Sequence, residues 1–411
     1  MQKFFRALAL CLFIFSCFVF ILAAYAQYAI PPQITTAEEK DLSSSKLFHF
    51  TRSEDVKTAG ARTDREADDV YNVNVSLFNI IPLRKTQVTT VKRRYVTLCG
   101  DVYGIKLYSS GVVVISVEDI ETQNGKKNPG KSAGIKSGDI IKKIDGKKVN
   151  SNKEVSEICK NSKGKALEFT ILRNDKTITL KLKTVKEKKS GLYKAGLWVR
   201  DSTAGIGTMT FYDRETGIFA SLGHAVCDVD TEIKLPLSEG LAVRAKILGC
   251  KMGSDSEAGE LTGAFMSENT GELYINSQCG VYGRLYNYDS NATLIPVAVS
   301  DEVKTGKAQI YCTVDGTGPH YYDVEITKII DKDSQEKNMT VKITDEKLLA
   351  ITGGIVQGMS GTPLIQNGMF VGAITHVFVS TPKEGYAIFA ENMVAAADEA
   401  KVIMEEKQKA S

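Results

Sequence analysis

Residues 354–368 read GIVQGMSGTPLIQNG, and the fold turns on whether Ser360, held between Gly358 and Gly361, is a nucleophile or part of a tight turn. A serine hydroxyl attacks a carbonyl only when an imidazole takes its proton, and the resulting oxyanion needs backbone N–H groups already aimed at it. Gly358 permits the peptide geometry that directs its own N–H and that of Ser360 at one point, forming an oxyanion hole, and Gly361 is expected to leave room for substrate backbone. Thr362-Pro363-Leu364-Ile365, a turn at Gln366-Asn367-Gly368 and the run Val371–His376 then read as a β-hairpin behind that turn. A lone G-x-S-G is weak; the same motif opening a hairpin in a β-rich chain is stronger.

The chain has four histidines that could serve as a base. His49 falls in a polar linker, whereas His224, His320 and His376 lie in β-rich sequence. His224 belongs to GIFASLGHAVCDVDT (217–231), where an apolar strand stops at Gly223 and delivers the imidazole at a turn. His376, on the strand after the serine, reads as a packed or hydrogen-bonded residue. Cys227 lacks a glycine-framed turn and suits a small hydrophobe's role better than a thiolate's. No metal-ligand spacing, phosphate loop or dinucleotide fingerprint is present, so no cofactor or metal is expected.

With 411 residues, 43% of them hydrophobic and 25% charged, the chain has an ordinary globular balance and room for two or three domains. A net charge of +3 argues against a nucleic-acid partner, and the lysines between Lys126 and Lys188 read as a solvated face. Lys3 and Arg6 precede an uncharged apolar run from Ala7 to Ala26, long enough as a helix to cross a hydrocarbon core of ~30 Å. Residues 1–27 are therefore a signal peptide or membrane anchor, with the remainder on the far side of the membrane. Residues 28–69 are polar, carry no sustained apolar period, and read as a flexible linker. Residues 70–95 form a β-rich connecting segment, opening with VYNVNVSLFNIIPL. The six cysteines beyond the apolar run contain no C-x-x-C pair, so a structural zinc site is not expected; disulfides and buried thiols both stay open.

Residues 96–185, with YGIKLYSSGVVVISV followed by KNPGKSAGIKSGDIIKKIDGKKVN, resemble a PDZ domain. The glycine-containing turn and strand Tyr103-Gly104-Ile105-Lys106-Leu107 would hold a peptide terminus on free N–H groups and accept the peptide as an added strand. The sequence departs from the family there, since YGIKL replaces the usual Gly-aliphatic-Gly-aromatic form. After a lysine-rich connection, residues 190–411 are rich in short Val, Ile, Thr and Tyr runs broken by Gly, Asn and Asp. Strands are expected at 204–212, 217–221, 244–249, 293–299, 307–314, 321–330 and 338–343, and a helix near the C-terminus around 392–401.

Residues 197–231 and 343–389, with the anchor and PDZ region before them, resemble the stage IV sporulation protein B family, PDZ-containing signalling serine peptidases of endospore-forming bacteria. That resemblance implies a mainly β fold, a PDZ domain followed by a chymotrypsin-like double β-barrel with the site in the cleft between halves. It implies Ser360 as nucleophile, His224 as general base and Asp345 as the acidic residue. An orienting carboxylate usually comes from well before the nucleophile, so Asp228, Asp230, Asp255 and Asp289 are rivals, and Asp345 could instead cap the segment EKLLA. The implied partners are peptide or protein substrates, including other copies of the chain cut within the linker, and a membrane-bound regulator of an intramembrane protease complex. The implied location is across or anchored in the forespore inner membrane, with a late sigma factor activated downstream. A general envelope quality-control PDZ protease and a catalytically inactive PDZ adaptor remain as other readings.

Overall fold

The computed structural model describes residues 2–37, 48–53, 67–254 and 257–410; most of the expected linker at 28–69, and Asp255, lie outside them. The chain divides into two units, residues 1–95 with 296–304, and residues 96–295 with 305–411.

In the first unit, helix α1 (Gln2–Ala29) carries an apolar stretch from Phe4 to Tyr25 that is long enough to cross a membrane, as an anchor or as a signal sequence. A sheet follows, built from β1 (Gln33–Thr36), β2 (Phe48–Arg52), β3 (Ala67–Leu77) and β4 (Ile81–Val91) in the order β1-β4-β3-β2. The expected strand at 70–83 is thus two strands, because Phe78 and Asn79 both take positive φ and reverse the chain. Val73, Val75 and Val88 form its small core.

The second unit begins with β5 (Tyr95–Leu98), of which only Tyr95 precedes the division, and the long β6 (Val102–Val117). Helix α2 (Pro129–Ala133), β7 (Ile140–Ile144), helix α3 (Asn152–Asn161), β8 (Ala166–Arg173) and β9 (Lys176–Lys183) complete the PDZ portion. Helix α3 starts with a capping box, Ser151 accepting from the Glu154 amide while the Glu154 carboxylate accepts from Ser151, which satisfies two terminal N–H groups. Asn174 and Asp175, both at positive φ, make the two-residue turn joining β8 to β9.

The remaining strands are β10 (Leu197–Tyr212), β11 (Ile218–Ser221), β12 (Leu237–Lys251), β13 (Glu260–Ser277), β14 (Gly280–Leu285), β15 (Gly306–Cys312), β16 (His320–Ile329) and β17 (Met339–Ile343). Helix α4 (Glu346–Thr352), β18 (Pro363–Gln366), β19 (Met369–Val377), β20 (Glu384–Phe389) and helix α5 (Ala390–Ala410) close the chain. The segment 293–299, expected as a strand, forms only the short strand Ile295–Pro296 with a bridge at Val297; proline has no N–H to extend a ladder.

Two closed rings of six strands result. The second is β15-β16-β17-β20-β19-β18. The first is β6-β12-β13-β14-β11-β10, closed because β10 pairs back onto β6. Its core is apolar, with Leu107, Phe219 and Val281 fully buried. Phe211 of the first ring meets Phe370 of the second edge-on, centroids 5.4 Å apart, and both are buried.

Strand β6 therefore serves two domains. Its first half is a wall of the first barrel and its second half, Val112–Val117, belongs to the PDZ sheet beside β7. This changes the reading of Tyr103–Leu107. Each of these residues pairs with β10 on one side, Gly207 to Thr203, and with β12 on the other, Arg244 to Gly240. Tyr103 is 4% exposed and bonds the Ser221 hydroxyl at 2.5 Å. With both edges occupied, this stretch has no free ladder for a peptide, so the expected PDZ binding residues are barrel residues instead.

Candidate active site

Ser360 stands on a turn whose flanking glycines are required by geometry. Gly358 and Gly361 have φ of 98° and 92°. A Cβ on Gly361 would lie 2.2 Å from the Thr208 carbonyl oxygen and 2.4 Å from the Leu222 nitrogen. Gly361 thus makes room for the first barrel's backbone, not for substrate as its sequence suggested.

Strand β10 clamps the turn. The Thr208 hydroxyl donates to the Gly358 carbonyl at 2.8 Å, the Thr208 amide to the Ser360 carbonyl at 3.0 Å, and the Thr210 hydroxyl to the Gly361 carbonyl at 2.7 Å. Met359 and Gly361 donate their amides to Val356 and Ile374. Among the described residues the Gly358 and Ser360 amides have no such acceptor, leaving both donors available beside the Ser360 hydroxyl.

His224 arrives on a second strained turn. Leu222 and Gly223 take φ of 65° and 70°, and a Cβ on Gly223 would lie 2.8 Å from Thr375 Cγ2. Ser360, His224, Thr375 and His376 line one cavity of about 430 Å³, together with Thr203–Ile206 of β10 and Ile355–Gly358. Burial lowers the His224 pKa, against the Ala225 carbonyl 2.8 Å from Nδ1 and the charge of Glu336. The imidazole is therefore neutral at pH 7, the state a proton acceptor needs.

The two side chains share the cavity without being hydrogen-bonded. The Ser360 hydroxyl donates to the Thr375 carbonyl at 2.7 Å. His376 instead is the close neighbour of His224. The sequence places it on the strand after the serine as a packed or hydrogen-bonded residue; its juxtaposition with His224 depends on the barrel's closure and is not a local signal.

The structure does not bring Asp345 to His224. Asp345 Oδ1 accepts from the Lys347 and Leu348 amides at 2.9 and 3.0 Å, making it the N-cap of α4. Oδ2 takes the Asp323 amide at 3.3 Å. The nearer rivals are also engaged: Asp228 pairs with Arg200 and accepts from the Thr231 amide, and Asp230 pairs with Arg200 at 2.8 Å. Asp289 holds the Asn291 amide in its own turn.

All cysteines in the described residues are unpaired, and burial raises the thiol pKa of Cys279 to about 11 and of Cys159 and Cys312 to about 12. Cys227 is exposed and its pKa is raised, chiefly by desolvation. Neither setting favours a nucleophilic thiolate.

Two protein families match the chain. Residues 191–394 match the SpoIVB peptidase S55 family and residues 87–184 the PDZ domain family. Among solved structures, the PDZ domain of an SdrC-like protein from Listeria monocytogenes aligns at 24% identity over 22% of this chain and 87% of that one, with a TM-score of 0.19. The HtrA-type protease AlgW with a decapeptide aligns at 12% identity over 50% of this chain and 55% of its own, with a TM-score of 0.31. The active form of the Rv3671c protease from M. tuberculosis aligns at 13% identity over 48% and 74%, with a TM-score of 0.28. Residues 87–394 are thus a PDZ domain running into a SpoIVB-type S55 domain, and the chain is a PDZ serine endopeptidase of that family.

Proposed function

We propose that this endopeptidase is a sporulation signalling protease that cuts its own N-terminal region and then a membrane-bound regulator of an intramembrane protease. In this reading it acts from the forespore inner membrane, with its catalytic part in the intermembrane space. The observation that carries the chemistry is the cavity holding Ser360, a neutral His224 and two unused amides at Gly358 and Ser360. Ser360 Oγ attacks the scissile carbonyl, its proton passes to His224, and the Gly358 and Ser360 amides hold the oxyanion. The C–N bond then breaks as His224 returns the proton to the leaving amine, and water repeats the sequence on the acyl-enzyme.

Before attack the Ser360 hydroxyl must leave the Thr375 carbonyl and turn to His224. A peptide pairing with the backbone near Thr375 would favour that rotation, so substrate binding completes the site. Asp345 acts at a distance in this scheme: it fixes the start of α4, whose C-terminal Gly353 leads into the nucleophile turn. The signalling assignment rests on the family match and on the apolar helix α1, which suits an anchor or a signal.

The test is mass spectrometry of the protein, wild type beside Ser360→Ala and His224→Ala, with and without a serine-reactive fluorophosphonate. Expected are labelling of Ser360 that requires His224 and N-terminal trimming in the wild type only. Trimming that continues in Ser360→Ala would overturn self-cleavage, and a regulator left uncut by an enzyme that labels would overturn the signalling role.

A further inference from the structure

Strand β10 runs from the PDZ portion into the catalytic cavity with one edge open. From Leu197 to Thr208 it pairs with β6; among the described residues no strand pairs with its other edge until β11 at Met209. An edge of this length is ordinarily protected by charge, proline or a bulge aimed at solvent. Here the two charges are tied up internally, and the pairing with β6 shifts register between Trp198 and Val199 and between Arg200 and Ser202, leaving Ser202–Thr208 as the regular stretch of the edge. Arg200 pairs with Asp228 and Asp230, and Asp201 accepts from the Asn152 amide at 2.9 Å at the start of α3.

The two ends of that edge face two different sites. Leu197 and Val199 pack into the PDZ core alongside Ile158 of α3, so α3 flanks this end of the strand as a PDZ helix flanks its groove. Thr203, Ala204, Gly205 and Ile206 line the cavity that holds Ser360 and His224. Ala204 and Gly205 are exposed, and a Cβ on Gly205 would meet nothing within 4 Å, so a second backbone can approach closely.

We infer that the open edge of β10 is a single docking rail for the substrate segment C-terminal to the scissile bond, which adds as an antiparallel strand from the catalytic cavity to the PDZ helix. This rests on the protease reading above. The occupant is an extended polypeptide, because only a backbone with free N–H and C=O groups completes such an edge. The sense follows from the sheet, in which the neighbours of β10 are all antiparallel. A strand antiparallel to β10 has its N-terminal end at Ile206 and its C-terminal end at Leu197. The PDZ-bound residues are therefore downstream of the cut, by a span of about 30 Å at ~3.3 Å per residue. One strand thus couples recognition to cleavage and measures the distance between them.

The chain's single tryptophan, Trp198, sits on this rail at 61% exposure and reports its occupancy. Cleavage sites are first located by mass spectrometry in a library of denatured bacterial peptides. One cleaved sequence is then synthesised short, extended by ten residues on the C-terminal side, or extended equally on the N-terminal side. The C-terminal extension is expected to raise kcat/KM about tenfold and to shift Trp198 fluorescence when titrated into Ser360→Ala. N-methylation of the alternate amides that face β10 should abolish both gains, and N-methylation of the other set should leave them. Equal benefit from the N-terminal extension, or a gain that survives N-methylation at both registers, overturns the rail. An enzyme that labels with fluorophosphonate yet gains nothing from extension also overturns the rail and leaves the protease reading standing; one that neither labels nor cleaves overturns both.

Discussion

The His376 ring lies 4.6 Å from that of His224, tilted by 38°, and its buried Nδ1 has no hydrogen-bond partner. A second imidazole lies beside the His224 ring, His224 Nδ1 is bonded to the Ala225 carbonyl, and no carboxylate among the described residues bonds to His224. With burial holding the His224 pKa below its usual value, the enzyme should keep its base neutral into mildly acid solution. The acid limb of kcat/KM is expected to have its midpoint below the usual imidazole value of 6.5. A midpoint above 7 would mean that a carboxylate reaches His224 in the working state.

Asp345 offers the sharpest mutational contrast. Its Oδ1 accepts two α4 amides, a function that an asparagine carbonyl can retain. Asp345→Asn is expected to label with fluorophosphonate at a rate near wild type, whereas Asp345→Ala loses about 1 kcal/mol of stability and labels more slowly. A folded Asp345→Asn protein that fails to label would show that its charge matters to the chemistry.

How far these features could be read from sequence depends on their range. The GMSG turn, the apolar strand before His224 and the presence of a PDZ domain are local signals, carried by glycine and by alternating apolar residues; the turn has its glycines at positive φ, the strand spans Ile218–Ser221, and residues 87–184 match the PDZ family. The dual role of β6 is not local. YGIKLYSSGVVV reads as a PDZ strand whichever partners it has, and only the pairing of Tyr103–Leu107 with Thr203–Gly207 and Gly240–Arg244, about a hundred residues away or more, makes it barrel wall. Asp345 shows the opposite limit. Its local competence as a helix cap was legible in EKLLA, and that local role is the one the fold uses.

Gly361 and Gly368 both have positive φ, 92° and 76°, yet they differ in surroundings. A side chain at Gly361 would collide with the Thr208 and Leu222 backbones, while one at Gly368 would meet nothing within 4 Å. Gly361→Ala is expected to cost several kcal/mol and to yield little folded protein. Gly368→Asn should cost under about 1 kcal/mol, since asparagine tolerates the left-handed region. Denaturant midpoints of the two variants check this, and a stable, active Gly361→Ala would refute the close approach of the two barrels at that turn.

His376 should make stability fall in acid. Burial, with the neighbouring His224 and Lys337 charges, lowers its pKa from 6.5 to about 4 in the folded protein. Between those values the unfolded chain binds the proton and the folded one does not, so stability declines as pH drops from 6.5 towards 4, then stays at its lowered level with respect to this group. Above 6.5 the group has no effect, because both states are neutral. His376→Phe keeps a ring against His224 and removes the proton site. Its melting temperature should therefore fall less than that of the wild type across the same window, and parallel curves for the two proteins would show that His376 titrates normally.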